Sequence, residues 1–243
     1  MKSLVIFLFL NWVIMNKGVN VMNIKKIALE IYYRARNVKN YFFCGNSFKK
    51  KGKNNRIIKD FSSNFRHTKV VFQGNNNTIR FGKNCSISGV NFLLEGDNNQ
   101  IYIGDKVGVS ATKRQPTVIN AFGGRKIQIG NGCLLSNSIE IHTSDYHGIY
   151  DRNTGERVNC DKDVIIGEHV WIGLRTIILK GTCIANGCVI GAGSVLTGNY
   201  AEENAIIVGN KGRVINENVV WSENAIENME LMKGTGNVYE KYL

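Results

Sequence analysis

The sequence predicts an all-β fold, a left-handed parallel β-helix of hexapeptide repeats. Three observations predict it. Aliphatic residues recur every six positions in the C-terminal half, an eleven-residue segment recurs after 22 residues further upstream, and 26 glycines accompany a single proline. Glycine serves tight corners, and the scarcity of proline leaves strand hydrogen bonding uninterrupted. The 243 residues are enough for one substantial core.

The six-residue rhythm is clearest from Ile166 onwards. In blocks of six the chain reads IGEHVW, IGLRTI, ILKGTC, IANGCV, IGAGSV and LTGNYA. Each block begins with Ile or Leu, and its fifth residue is mostly small. A helix repeats every 3.6 residues and a simple strand every two, so neither keeps this register. Short strands joined at the corners of a triangular coil do keep it, with one aliphatic side chain per side facing inward.

The rhythm continues upstream with insertions. It keeps phase over IGNGCLLSNSIEIHTSDY (129–146), and FQGNNNTIRFG (72–82) recurs as LEGDNNQIYIG (94–104). We therefore predict a β-helix domain over residues 68–215, interrupted by an extruded loop at 142–165. Residues 216–243 are predicted to form a capping tail with a short helix over the open end of the solenoid.

The N-terminal segment carries the excess charge. Residues 1–21 are apolar and of uncertain status, and residues 22–67 are predicted to be a basic helical and loop segment that begins with an amphipathic helix. Residues 17–70 hold 14 Lys and Arg against two acidic residues, which accounts for the net charge of +12. Such a block favours an anionic saccharide or peripheral contact with an anionic membrane. No sequence pattern of a nucleic-acid-binding domain accompanies it.

Six cysteines show neither a CxxC pair nor zinc-ligand spacing. Three of them occupy the small inward position of the repeat, namely Cys85, Cys133 and Cys188. A free, buried cysteine acts there as a small apolar filler. We therefore expect a reducing, cytoplasmic setting, at the inner face of the membrane if the basic segment binds lipid.

The segment IHTSDYHGIYD (141–151) places His142 and His147 in the loop that interrupts the repeats. With DVIIGEHVWIGLRTIILKG and IGAGSVLTGNYAEENAIIVGNKGRVI, it resembles the hexapeptide-repeat acyltransferases, and among them the O-acetyltransferases of bacterial capsule and exopolysaccharide assembly. Those enzymes carry a histidine in this loop and a tryptophan 24 residues later, the spacing of His147 and Trp171 here. The resemblance implies that both are catalytic. Asp145, Tyr146 and His142 are then candidates for orienting the base or contacting the acceptor.

The resemblance also implies acetyl-CoA as co-substrate, with no permanently bound cofactor or metal, and a homotrimer. By family position the CoA cleft is lined by Trp171, Gly173, Ala192, Thr197, Lys211 and Arg213. A histidine base suits acetyl transfer, because its ordinary pKa of about 6.5 lets it take the acceptor hydroxyl proton near neutral pH. The turn GNKGRVI departs from the family's usual GNPAKVI, which makes phosphate contacts there the least secure part of the assignment.

Two alternatives remain open from the sequence. The H-x4-H spacing of His142 and His147 is also that of a γ-class carbonic anhydrase zinc pair, although the only upstream histidine, His67, lies outside the predicted repeats. A non-catalytic β-helix used as an assembly module would keep the hexads. It has no need of an extruded loop that carries a histidine.

Overall fold

The computed structural model describes residues 44–223, which form 22 β-strands in three sheets. Sheet A contains β1 (Ser47–Lys51), β4 (Lys69–Gln73), β7 (Val90–Glu95), β10 (Thr117–Phe122), β13 (Glu140–His142), β16 (Ile177–Ile178) and β19 (Val195–Leu196). Sheet B contains β2 (Arg56–Lys59), β5 (Thr78–Phe81), β8 (Gln100–Ile103), β11 (Lys126–Ile129), β14 (Val164–Ile166), β17 (Cys183–Ile184) and β20 (Asn199–Tyr200). Sheet C contains β3 (Asn64–Arg66), β6 (Ser86–Ser88), β9 (Gly108–Ser110), β12 (Leu134–Leu135), β15 (Trp171–Ile172), β18 (Val189–Ile190), β21 (Ile206–Val208) and β22 (Arg213–Asn216).

The chain visits the three sheets in turn, and every third strand pairs in parallel with the one before it. This is the predicted left-handed parallel β-helix, a three-sided prism. Only β22 differs among the described strands, because it folds back antiparallel to β21. The predicted inward stack is confirmed, since Ile166 aligns with Ile184 and Ile172 with Ile190. These side chains belong to one continuous buried core that runs the length of the prism.

The β-helix begins earlier than the predicted residue 68. Strands β1, β2 and β3 form a complete first coil, and Ser47 pairs with Lys69 after one 22-residue turn. Its sequence, KGKNNRIIKD, is a third copy of the upstream repeat, hidden because Lys and Arg occupy exposed positions. The repeat's glycine is required by geometry: Gly74 has φ of 140° and a Cβ there would lie 2.1 Å from the carbonyl oxygen of Gly96.

The extruded loop is confirmed with slightly narrower bounds, since β13 ends at His142 and β14 begins at Val164. Within it the chain forms a small hairpin, in which the amide of Val158 donates to the carbonyl of Ile149 at 2.8 Å. Ile149, Tyr150 and Val158 are exposed on this hairpin. The loop leaves the prism at the corner between sheets A and B, because it joins a strand of each.

Cys85, Cys133 and Cys188 are buried, as expected for inward fillers. Burial raises the pKa of the Cys133 thiol to about 12, so this cysteine is an apolar core residue and not a nucleophile. The predicted apolar stretch at 1–21, the amphipathic helix of segment 22–67 and the helix of the capping tail all lie outside the described residues. Over residues 44–223 no helix has the length and apolar character needed to cross a bilayer.

Candidate active site

His147 lies near the start of the extruded loop, with its side chain exposed. Both polar groups of its backbone are bonded: its amide donates to the carbonyl of Asp145 at 2.7 Å, and its carbonyl accepts from Asn159 Nδ2 at 2.8 Å. The main chain at this residue is therefore fixed while the imidazole faces outward. A general base needs this combination, because it must meet an external hydroxyl in a defined place.

Asp145 is held by two side chains that the sequence did not single out. Its Oδ2 lies 2.5 Å from Lys180 Nζ and accepts from Asn159 Nδ2 at 2.9 Å. The hydrogen bond from Lys180 lowers the pKa of Asp145, and the bond from Asn159 acts in the same direction. We call Asp145, Asn159 and Lys180 the loop clasp. The sequence-based role of Asp145 as the partner of the His147 imidazole needs revision, since its carboxylate is committed to the clasp.

Tyr146 and His142 belong to a second network, on the outer face of sheet A. Asn120 Nδ2 donates to the Tyr146 hydroxyl at 2.5 Å and to Glu95 Oε2 at 3.1 Å. The Tyr146 hydroxyl in turn has a long contact of 3.5 Å with His142 Nδ1, and His142 Nε2 lies 3.3 Å from Glu140 Oε2. Burial raises the pKa of Tyr146, and the charge of Glu95 adds to the rise. Both residues therefore anchor the start of the loop to the sheet.

Trp171 projects from sheet C and is 41% exposed. Its ring lies 5.9 Å from that of Trp221, which stacks on His169 at 4.1 Å with nearly parallel planes. Trp221 Nε1 also donates to the carbonyl of His169 at 2.9 Å. His169 is an outward residue of its hexad, but it is buried because Trp221 covers it. The chain after β22 thus returns along the side of the prism and supports one edge of Trp171.

Gly173 and Ala192 are brought together on adjacent coils. A Cβ on Gly173 would lie 2.7 Å from the amide nitrogen of Ala192, so only glycine allows these two turns to approach. Ala192 itself is exposed. The two residues form an accessible backbone edge at the corner between sheets C and A, as expected for one wall of the predicted CoA cleft.

Thr197 and the turn that carries Lys211 are linked by a tyrosine that the sequence gave no reason to select. The hydroxyl of Tyr200 donates to the carbonyl of Gly212 at 3.2 Å and has a 3.5 Å contact with the carbonyl of Thr197. Lys211 and Arg213 are exposed on that turn and on β22. The structure therefore groups these predicted cleft residues at the C-terminal end of the prism.

The comparisons with known proteins agree with this architecture. A family model described as bacterial transferase hexapeptide (six repeats) matches residues 163–198. A polysialic acid O-acetyltransferase of Neisseria meningitidis is 36% identical over 191 residues, which are 72% of this chain and 88% of that enzyme. The chain belongs to the hexapeptide-repeat O-acetyltransferases.

Solved structures place this O-acetyltransferase near two enzymes of the same kind. The polysialic acid O-acetyltransferase OatWY aligns with a TM-score of 0.63 and 34% identity, covering 79% of this chain and 98% of that one. The polysialic-acid-specific acetyltransferase NeuO aligns with a TM-score of 0.60 and 25% identity, covering 78% and 94%. Both alignments span nearly the whole of the solved enzymes, so the likeness includes the loop as well as the regular hexads.

Within one chain of this O-acetyltransferase, His147 and Trp171 lie on different sides of the prism. His147 extends from the corner between sheets A and B, whereas Trp171 projects from sheet C. The two predicted catalytic residues therefore do not form a closed site in a single copy. Among residues 44–223, no group of three His, Cys, Asp or Glu side chains is arranged to hold a metal ion. His142 and His147 serve different networks, which does not favour a zinc pair.

Proposed function

We propose that the protein transfers the acetyl group of acetyl-CoA to a hydroxyl of an acidic surface or capsular polysaccharide, or of its sugar precursor. His147 acts as the general base. Its imidazole takes the proton of the acceptor hydroxyl as the hydroxyl oxygen attacks the thioester carbonyl, and CoA leaves as the thiolate, which is then protonated. The observation that carries the proposal is the exposed imidazole of His147 on a backbone fixed at both polar groups.

The active site is completed in a homotrimer, where His147 of one copy meets Trp171 of the next. Two observations support this arrangement. The two residues lie on different sides of the prism, and the loop hairpin exposes Ile149, Tyr150 and Val158, each more than half accessible in a single copy. An exposed apolar group of this kind is typical of a protein contact. Acetyl-CoA then lies along the cleft edge formed by Gly173 and Ala192.

The acceptor is anionic in this proposal. The first coil presents Lys49, Lys50, Lys51, Lys53 and Arg56 as exposed residues, and the similar enzymes are named for polysialic acid. Carboxylates on an acceptor polymer are attracted to such a basic surface before the reacting sugar reaches His147. The same charge supports a cytoplasmic enzyme at the inner membrane face, where anionic lipids attract basic segments.

The decisive experiment compares wild type with His147→Ala and His142→Ala, using acetyl-CoA and polysialic acid oligomers. Removing the base lowers kcat by roughly 10²–10⁴-fold, whereas His142→Ala leaves most of the activity. Light scattering must show that all three proteins are trimers. A fully active His147→Ala enzyme would disprove the base assignment. Transfer to neutral oligosaccharides at an equal rate would contradict the anionic acceptor.

A further inference from the structure

The loop clasp joins the extruded loop to the coil that follows it. Lys180 comes directly after β16, and its side chain is only 15% exposed. Its ammonium lies 2.5 Å from Asp145 Oδ2 and donates to the carbonyl oxygen of Asn159 at 2.6 Å. Charge-assisted hydrogen bonds of this kind are short and about twice as strong as neutral ones. A single ammonium therefore ties the beginning and the end of the loop to the β-helix.

Asn159 contacts three alternate residues at the start of the loop. Its Nδ2 donates to Asp145 Oδ2 at 2.9 Å and to the carbonyl of His147 at 2.8 Å. Its Oδ1 accepts from the amide of Ile149 at 2.7 Å. Only a side-chain amide offers two donors and an acceptor in this fixed plane. Asp in place of Asn159 would keep the bond to Ile149, lose both donors and bring two carboxylates together.

The clasp acts on the backbone of His147 and not on its imidazole. The His147 amide is bonded within the loop to the carbonyl of Asp145, and its carbonyl is bonded to Asn159. Its Cα position therefore depends on Asn159 and, through Asp145, on Lys180. A base displaced by about 1 Å from its working position loses on the order of 10²-fold in rate. Support of this kind is normally required around a catalytic side chain.

We propose that Asn159 and Lys180 are positioning residues for His147, which hold the base where the acceptor hydroxyl meets the thioester. The proposal rests on the proposed function, in which His147 is the base. It goes beyond that function by assigning a role to two residues that contact neither donor nor acceptor. Lys180 has a second consequence. It occupies the carboxylate of Asp145, which stands two residues from His147 and is thereby kept from pairing with the imidazole.

The test compares Asn159→Ala, Lys180→Met and the conservative Lys180→Arg with wild type under steady-state conditions. We expect kcat to fall about 10–10²-fold in the first two variants while KM for acetyl-CoA changes by less than about twofold, because the donor cleft lies elsewhere. Lys180→Arg keeps the cation and should recover much of the loss. Asn186→Ala is the matched control, since Asn186 also bridges neighbouring coils, accepting from the amide of Glu168 and donating to Glu203, far from the loop.

A second readout follows His147 directly. The chain has four histidines, and the NMR signal of His147 can be identified by its loss in His147→Ala. In Asn159→Ala that signal should shift or broaden, while the signal of His169 stays unchanged. Unchanged kcat in both clasp variants, or an equal loss in Asn186→Ala, would overturn the proposal. If His147→Ala is itself fully active, the base assignment fails separately. The His147 signal then decides alone whether the clasp positions this residue: an unchanged signal overturns it.

Discussion

The coils before the extruded loop differ from the coils after it, although both belong to one β-helix. Before the loop a turn takes 22 residues, as in the pairing of Lys69 with Asn91, and the sheet A strands are five or six residues long. After the loop a turn takes 18 residues, as in the pairing of Ile177 with Val195, and each strand of that turn has two residues. The extruded loop with His147 lies where the wide coils meet the narrow ones.

The two regions fill their interiors differently. The wide coils enclose aromatic rings, including Phe81 and Phe92 in edge-to-face contact at 5.2 Å, and a ladder of asparagines at one inner corner. In that ladder the amide of Asn99 donates to Asn77 Oδ1 at 2.8 Å, and the amide of Asn77 to Asn55 Oδ1 at 2.9 Å. The narrow coils have room for one aliphatic residue per side. Width therefore requires large rings and internal hydrogen bonds, whereas narrowness requires only a strict register.

The largest expected difference concerns the core rings. Phe92→Ala should lower the free energy of unfolding by about 3–5 kcal/mol, because it leaves a cavity in a fully buried site that close-packed neighbours only partly fill. Ile190→Val in the narrow coils removes one methylene and should cost about 0.5–1.5 kcal/mol. Chemical denaturation with circular dichroism measures both. Equal costs would contradict the view that the wide coils depend on their rings.

The asparagine ladder gives the next effect. Asn99 is fully buried, and its side chain bonds Asn77, the carbonyl of Glu95 and the amide of Gly124. Asn99→Ala leaves these groups buried without their partner, so we expect a loss of about 1–3 kcal/mol in unfolding free energy. Asn91→Ala, at a half-buried outward position of the same coil, is the control and should change stability little. A stable Asn99→Ala protein would show that the ladder is dispensable.

The boundary between the regions gives the smallest effect, and it depends on pH. The pKa of Asp145 in the folded protein is lowered chiefly by Lys180. A carboxylate with a depressed folded pKa stabilises the fold above its unfolded value of about 3.9, and this contribution is lost as the pH falls through the folded pKa. Asp145→Asn should therefore melt below wild type at about pH 7 and coincide with it at about pH 3. A difference that persists in acid would refute the ionic role of Asp145.

Most of the fold could be predicted from the sequence, because the hexads have a strict register. The first coil was missed because Lys49, Lys50 and Lys51 occupy positions where a core strand would show aliphatic residues. Only the repeated glycine and asparagine of KGKNNRIIKD indicate it. For the site, spacing alone indicated His147 and Trp171. Asn159 and Lys180 could not be found in this way, since their partners depend on how an irregular loop folds back.

Trp221 and Tyr200 were missed for a related physical reason. Trp221 reaches His169 from 52 residues away, and Tyr200 joins two turns through its hydroxyl. Such contacts are set by the stacking of coils and by the path of the chain after the last one. No local period in the sequence encodes them. The residues that do the chemistry follow a family spacing, whereas the residues that hold them follow the three-dimensional path.

The reversed direction of β22 has a consequence for assembly. A stack of parallel coils could otherwise grow without limit, since the last strand of one molecule presents the same unpaired edge that the first strand of another can join. β22 closes sheet C at the C-terminal end with an antiparallel strand, which breaks the repeat. At the other end of the described chain, β1 presents Lys49, Lys50 and Lys51 in a row, and like charges repel a second such edge. Both devices favour a closed particle of fixed size over a filament.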